Sequence, residues 1–264
     1  MNILMIGAGR MAEAIISGLI EQKDKNITIT VTNHTDEAKR LQLAAKYEIN
    51  EAQDWRTVVG EADVIISAAP PSSHERLFQD LSPLISGQLV ITVAAGIDTT
   101  FMEANLPKGT PVCWIMPNTA AQLQASISTF VCGHYVTSEQ RQTIEMILAA
   151  IGDYEELTEE QVHDLTAVTG SAPAFLYLFC EALEEAAVRY GVTPDQARKL
   201  VTKMVVGSAK MLEAGTPASV LREQVTTPGG STAAGLKVLA EADFSDLIGA
   251  AVKATNEHAR GRKN

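Results

Sequence analysis

Apolar and polar positions follow two different rhythms along the chain, and the change of rhythm divides it. In the first half, short apolar and often β-branched runs at residues 3–6, 27–32, 64–68, 89–94 and 113–116 are bounded by turn residues. Such runs are expected to be buried parallel strands. Between the first two, residues 11–22 place Met11, Ile15, Ile16 and Leu19 on one helical face. Residues 36–47 and 75–84 also pattern as helix. Strands alternating with helices point to βαβ units and a doubly wound, Rossmann-type α/β sheet. A further strand at 128–132 and a helix from 138 to about 151 are expected.

Past Gly152 the period becomes helical, with helices proposed at about 159–190, 194–214, 217–225, 231–242 and 244–259. Thr193, Pro194 and Asp195 make a helix start, with threonine as N-cap and proline at the first helical position. Gly191 and Gly215 stand where C-terminal caps belong. The expectation is an α/β dinucleotide-binding domain over residues 1–155 and an all-α domain over 156–264. Residues 165–180 carry apolar side chains on every helical face. A helix of that kind must be covered all round, which favours a dimerising role for the second domain over a core helix of the same chain.

Composition narrows the function classes. The chain has 264 residues, 46% hydrophobic and 20% charged, which excludes a disordered polymer. Its net charge of −11 repels phosphate backbones and anionic lipid, so neither nucleic acid nor a membrane surface is expected as partner. Cys113, Cys132 and Cys180 form no C-x-x-C pair. They are expected to be incidental thiols in a reducing compartment, with no disulfide framework and no metal site. The opening apolar run has no basic residues before it, and residues 165–180 fall short of the ~20 needed to span a bilayer. A cytoplasmic protein is expected. Arg260, Arg262 and Lys263 are expected only to complement a helix C-terminus.

Gly7-Ala8-Gly9-Arg10-Met11-Ala12 has the form G-x-G-x-x-A between the first strand and first helix. The first glycine permits the tight turn, the second lets the backbone approach a pyrophosphate, and the small third residue allows close helix–strand packing. Unpaired N–H groups at the helix start then face the phosphates. At the end of the second strand an acidic residue would hold the ribose 2′-OH of NAD. Here the chain reads Thr32-Asn33-His34-Thr35, followed by Lys39 and Arg40. With no carboxylate there, and with His34 or Arg40 able to add charge, NADPH is expected over NADH. The alternative makes Lys39 and Arg40 ordinary solvated helix residues.

Ligands of open α/β sheets sit beyond the carboxyl ends of the strands. There the chain places Ala68, Ala69 and Pro70, then Ala94 and Gly96, then Asn118, whose amide could meet a carboxamide or substrate. In the helical half, Thr226-Thr227-Pro228-Gly229-Gly230-Ser231-Thr232 joins two helices. Exposed N–H groups and two hydroxyls at such a turn suit a carboxylate, although a plain helix cap would look the same.

The glycine motif, Ala94-Ala95-Gly96, Met116-Pro117-Asn118-Thr119, Gly170-Ser171-Ala172-Pro173-Ala174-Phe175 and the Thr-Pro-Gly-Gly-Ser-Thr turn follow one another as in pyrroline-5-carboxylate reductases. The chain resembles that family over nearly its whole length. The resemblance implies an N-terminal Rossmann domain, a C-terminal helical dimerisation domain, and reduction of 1-pyrroline-5-carboxylate to proline with NAD(P)H. It implies that Ser171, Gly229, Gly230, Ser231 and Thr232 hold the substrate, with Thr232 nearest the imine nitrogen, and that Asn50 lies by the adenosine. Three positions depart from the family pattern. Ala69-Pro70-Pro71 replaces Val-Lys-Pro, Ala120 replaces proline, and His34 replaces a frequent arginine. His163 and Asp164 open the long helix and are expected to be structural. Two rivals stay open at this point. One is a β-hydroxyacid dehydrogenase using Lys210, and the other is a nucleotide-binding protein with little turnover.

Overall fold

The structure is a computed structural model that describes residues 1–23 and 26–261, so Arg262 and Lys263 lie outside the described residues. It divides into two compact units, one of residues 1–170 with the chain from Asn256 onward, the other Ser171–Thr255.

The first unit is an eight-stranded sheet in the order β3-β2-β1-β4-β5-β6-β7-β8. The strands are β1 (Asn2–Ile6), β2 (Thr28–Thr32), β3 (Asn50–Ala52), β4 (Val64–Ser67), β5 (Leu89–Thr92), β6 (Val112–Met116), β7 (Ser126–Cys132) and β8 (Gly152–Glu156). Helices α1 (Arg10–Glu21), α2 (Glu37–Tyr47), α3 (His74–Leu81), α4 (Thr99–Asn105) and α5 (Ser138–Ala149) cover it. Alternate residues of the strands feed two cores. Ile3, Met5, Ile66 and Ile91 pack with Ile15, Ile16, Ile144 and Leu148, while Leu4, Ile65 and Val90 pack with Phe78, Leu81 and Met102 on the other face. A parallel strand buried on both faces needs the continuous apolar runs that the sequence shows.

Strands β1 to β6 are parallel, but β7 runs antiparallel to β6 and β8 runs parallel to β7. The five runs expected to be parallel strands are parallel, and the further strand expected at 128–132 is antiparallel for a geometric reason. The chain between Met116 and Ser126 is too short for a crossover, which takes a dozen or more residues. Strand β8 holds the chain to the first unit, and Val162 of α6 (Glu159–Thr166) packs against Trp114 and Met116. The two compact units part at Gly170.

The expected helix over 159–190 is present from Glu159 to Arg189 and changes pitch on the way, as α6, a π turn at Ala167–Ser171, and α7 (Ala172–Arg189). Pro173 has no N–H to give the carbonyl of Thr169, so the α-helical ladder cannot run through this point. That carbonyl instead accepts from Asn118 Nδ2 at 3.1 Å. By length and composition alone, Glu159–Arg189 is long and apolar enough to span a membrane.

The second unit holds α7, α8 (Pro194–Glu213), α9 (Ala218–Gln224), α10 (Ser231–Glu241) and most of α11 (Phe244–Gly261). Thr193 caps α8 in a reciprocal box with Gln196, and Gly191 and Gly215 take the left-handed conformation after their helices. Its described helices bury almost nothing. Leu178 is 66% exposed and Leu200 60%, and Tyr177, Met211 and Leu247 are exposed as well.

Candidate functional site

The nucleotide end of the first unit is built by Gly7. Its φ of +115° is left-handed, its N–H donates to Thr32 O at 2.8 Å, and an added Cβ would lie 2.9 Å from Ala68 O. Glycine is required twice over, for conformation and for space. Gly9 differs. It is the N-cap of α1 with extended backbone and no side-chain cap, and a Cβ there would meet nothing within 4 Å. The first N–H groups of α1, from Arg10, Met11 and Ala12, thus open onto free space next to a helix dipole, which fits a pyrophosphate. Ala12, fully buried, fills the third position of the motif.

At the end of β2, Asn33 Oδ1 accepts from Thr35 N at 3.3 Å and from Thr35 Oγ1 at 3.2 Å. His34 and Thr35 are exposed. Arg40 corrects both sequence readings. It is neither solvated nor free for a phosphate, being 4% exposed with Nε 2.7 Å from Glu51 Oε2 and a second contact to Glu37 at 3.3 Å. Lys39 stays exposed. Asn50 does not join this edge. It pairs with Thr30 at the start of β3, two residues short of the strand ends. The acidic group past β3 is Asp54, whose carboxylate accepts from Arg56 N at 3.0 Å and Arg56 Nη1 at 3.1 Å. Those bonds hold its pKa low, the backbone N–H of Arg56 first, with His34 adding a small field.

The loops after β4 and β5 are joined by a residue the sequence reading missed. His74, at the start of α3, is fully buried. Its Nδ1 lies 3.1 Å from Pro70 O, and a carbonyl only accepts, so Nδ1 carries the proton. Nε2 is then the acceptor for Ser67 Oγ and Thr92 Oγ1, each at 2.9 Å. Thr92 Oγ1 in turn accepts from Ala94 N at 3.2 Å. One neutral imidazole therefore fixes both Pro70 and Ala94, and burial pushes its pKa down. Ala68 N donates to Ile6 O at 2.8 Å, so the Ala68-Ala69-Pro70 turn sits beside the glycine turn. Gly96 takes φ +78°, and Ala94 O accepts from the Trp114 indole at 2.9 Å.

Asn118 is more committed than expected. Its Oδ1 caps the turn at Ala120 N (2.9 Å), its Nδ2 reaches Thr169 O, and its N–H donates to Ser126 Oγ at 3.0 Å. The amide positions the loop and the π turn, and only its second N–H proton is left to offer. Ala120 supplies an N–H that proline would lack, which gives that departure a local reason. His163 Nε2 pairs with Asp98 Oδ2 at 2.9 Å and its ring rests against Trp114, a packing role.

In the second unit, Gly229 has φ +73° and Gly230 is the N-cap of α10, again without a side-chain cap. Ser231 and Thr232 are thus the first two helical residues, both exposed, and neither hydroxyl bonds to a described residue. The plain-cap reading of these hydroxyls is overturned, because the cap is glycine. The turn offers unpaired N–H groups and two hydroxyls together, a set suited to a carboxylate and a polar neighbour. Ser171 closes the π turn and is half-buried. Lys210 is exposed on α8.

Comparison with known proteins is consistent along the chain. The family model for pyrroline-5-carboxylate reductase dimerisation matches residues 159–262, and that for NADP oxidoreductase, coenzyme F420-dependent, matches residues 2–96. Pyrroline-5-carboxylate reductase 1 of Bacillus spizizenii is 34% identical over 96% of this chain and 86% of its own length. The structure of a pyrroline-5-carboxylate reductase from Coxiella burnetii superposes with TM-score 0.90 at 32% identity, covering 98% of this chain and 97% of that one. The Plasmodium falciparum pyrroline carboxylate reductase, solved with NADP bound, shares the fold at TM-score 0.86 and 23% identity, over 98% of this chain and 97% of its own.

Proposed function

The chain belongs to the pyrroline-5-carboxylate reductase family, and from that premise we propose how its residues divide the reduction of 1-pyrroline-5-carboxylate to proline. A nicotinamide nucleotide supplies the hydride. The first unit holds it: Gly7, Gly9, Arg10, Met11 and Ala12 at the pyrophosphate, Asn33, His34 and Thr35 at the ribose, and Ala68, Ala69, Pro70, Ala94 and Gly96 along the remaining edge. NADPH is preferred, because β2 ends without a carboxylate and the charge of Asp54 is taken up by Arg56. Arg40 contributes nothing to that preference.

The second unit supplies the substrate groups. The turn at Gly229 and Gly230, closed by the bond from Gly230 N to Thr227 O (2.9 Å), presents the N–H groups of Ser231 and Thr232 to the ring carboxylate, with the Ser231 hydroxyl and Ser171 as further polar contacts. Reduction of a C=N bond is fastest when the nitrogen bears positive character, and a hydrogen bond donated to nitrogen stabilises that state. Thr232 Oγ1–H donates it. A threonine hydroxyl is too weak an acid to protonate the imine unaided, so it polarises the nitrogen or relays a solvent proton. The observation that carries this reading is the glycine cap of α10, which leaves both hydroxyls and the first N–H groups unengaged by any described residue.

The exposed apolar helices of the second unit support a homodimer or a larger dimer-based assembly. Three free thiols fit a cytoplasmic setting. The decisive experiment follows NADPH and NADH oxidation by the purified protein with and without 1-pyrroline-5-carboxylate. Substrate-dependent oxidation at enzyme-like rates supports the reading. Saturable nucleotide binding without turnover, or oxidation of small hydroxyacids instead, overturns it.

A further inference from the structure

Cys113 and Cys132 are 19 positions apart in sequence, yet the antiparallel register of β6 and β7 sets them directly opposite each other. The ladder bond from Gly133 N to Val112 O (2.8 Å) makes the next pair, the two cysteines, a non-hydrogen-bonded one. That is the closer of the two antiparallel spacings, about 4.5 Å between Cα atoms, and it falls inside the range a disulfide requires. Gly133 tightens the approach further, since a Cβ there would lie 2.5 Å from Val112 Cγ2. The two thiols have unequal surroundings. Cys113 is fully buried among Ile115, Ile144 and Ile147, whereas Cys132 is partly exposed.

We propose that Cys113 and Cys132 are a dithiol site that hydroperoxides convert to an intramolecular disulfide, closing the segment that carries Asn118. The sulfur of Cys132 attacks one peroxide oxygen, the O–O bond breaks, and an alcohol or water leaves with the proton of Cys132. The sulfur of Cys113 then attacks the resulting sulfenic acid. The S–S bond forms as the S–O bond breaks, and water leaves with the proton of Cys113. Overall two thiols are oxidised and one hydroperoxide is reduced. The asymmetry assigns the roles. A hydrogen bond from the Cys113 thiol favours the Cys132 thiolate, with Arg141 adding its charge against the effect of burial, while burial pushes Cys113 up.

The test uses the full-length protein, treated with a few equivalents of hydrogen peroxide, blocked with N-ethylmaleimide under denaturing conditions, and mapped by mass spectrometry without reductant. Cleavage after Lys108 and Arg141 leaves both cysteines in one tryptic peptide, 109–141. That peptide should lose ~2 Da and both labelling sites, and dithiothreitol should restore them. In Cys113→Ser the same treatment should carry Cys132 on to sulfinic acid, ~32 Da heavier, because no resolving thiol remains. Cys180, on α7 without a cross-strand partner, serves as the internal comparison. Two outcomes overturn the proposal: both thiols of 109–141 still labelled while Cys180 is oxidised, or sulfinic acid at Cys132 in the wild-type chain. Neither readout depends on the reductase activity.

Discussion

Replacing His74 by phenylalanine tests whether the imidazole joins the two loops or only fills space. The ring and most of its volume stay, while three polar contacts go. Pro70 O keeps two donors, Ser73 N at 3.0 Å and Ser73 Oγ at 2.7 Å, so it is not orphaned. The loss falls on Ser67 and Thr92, whose hydroxyls sit at 0% exposure with Nε2 as their common acceptor. A buried donor left without a partner costs about 1–3 kcal/mol, and two donors sharing one acceptor give about 2–4 kcal/mol in all. Ser67→Ala alone should cost about 1 kcal/mol, since its hydroxyl bonds to the ring. In the double variant the orphaned Ser67 proton no longer exists, so the two effects should fall short of additivity by about 1 kcal/mol. Urea denaturation of the four proteins measures this, and the KM for NADPH should rise several-fold in His74→Phe as Pro70 loosens. A stability change below about 0.5 kcal/mol for His74→Phe, or additivity within that margin, would reduce the ring to a filler.

Four further outcomes are expected. Thr232→Ala should lower turnover at least ~10-fold, about 1.4 kcal/mol, while NADPH binding measured by fluorescence stays within a factor of about two. Gly9→Ala should change stability by about 1 kcal/mol or less, because its Cβ meets nothing in the protein, yet it should raise the NADPH KM strongly by filling the phosphate space; Gly7→Ala should unfold the chain at lower urea instead. Asn118→Ala should reduce kcat and loosen the π turn, read as faster amide exchange at residues 167–171, since Thr169 O loses its partner. Stability should fall with acid through the region of pH 6.5: the folded ring of His74 binds its proton less readily than the unfolded one, so below 6.5 the unfolded state takes up more protons, and His74→Phe should remove that part of the slope.

What could be read in the sequence was whatever repeats at short range. The strands β1, β4, β5 and β6 announce themselves because a parallel strand covered on both faces is almost continuously apolar, with Ser67 and Thr92 as polar ends of β4 and β5. The glycine turn is legible for a similar reason, since conformation and contact demand the same small residues. Strand β8 was not legible. Gly152–Glu156 is mostly exposed and acidic, held by its ladder to β7 rather than by apolar burial. Arg40 looked solvated because its partner Glu51 arrives on a three-residue edge strand too short to show a period. Ser67, His74 and Thr92 are unremarkable in sequence, and only the parallel pairing of β4 with β5 brings them to one point.

The same contrast explains the second unit. Its helices were legible because caps and glycines are local, but their stability is not local. Among its described residues only Ala197 and Val201 are buried, too little apolar surface to hold five helices together against their conformational entropy. In the proposed homodimer, side chains such as Leu178 and Leu200 gain their burial from another chain. The match of residues 159–262 to a dimerisation family agrees with that deficit. In that assembly the glycine-capped turn before α10 would inherit its rigidity from the dimer. The substrate site proposed for its N–H groups would work only while that helix is held, because orientation, not acidity, is what the proposal asks of Thr232. On the proposed function, then, dimerisation belongs to the catalytic apparatus, and loss of the dimer should cost turnover before it costs nucleotide binding, since the glycine turn of the first unit stands on a buried core of its own.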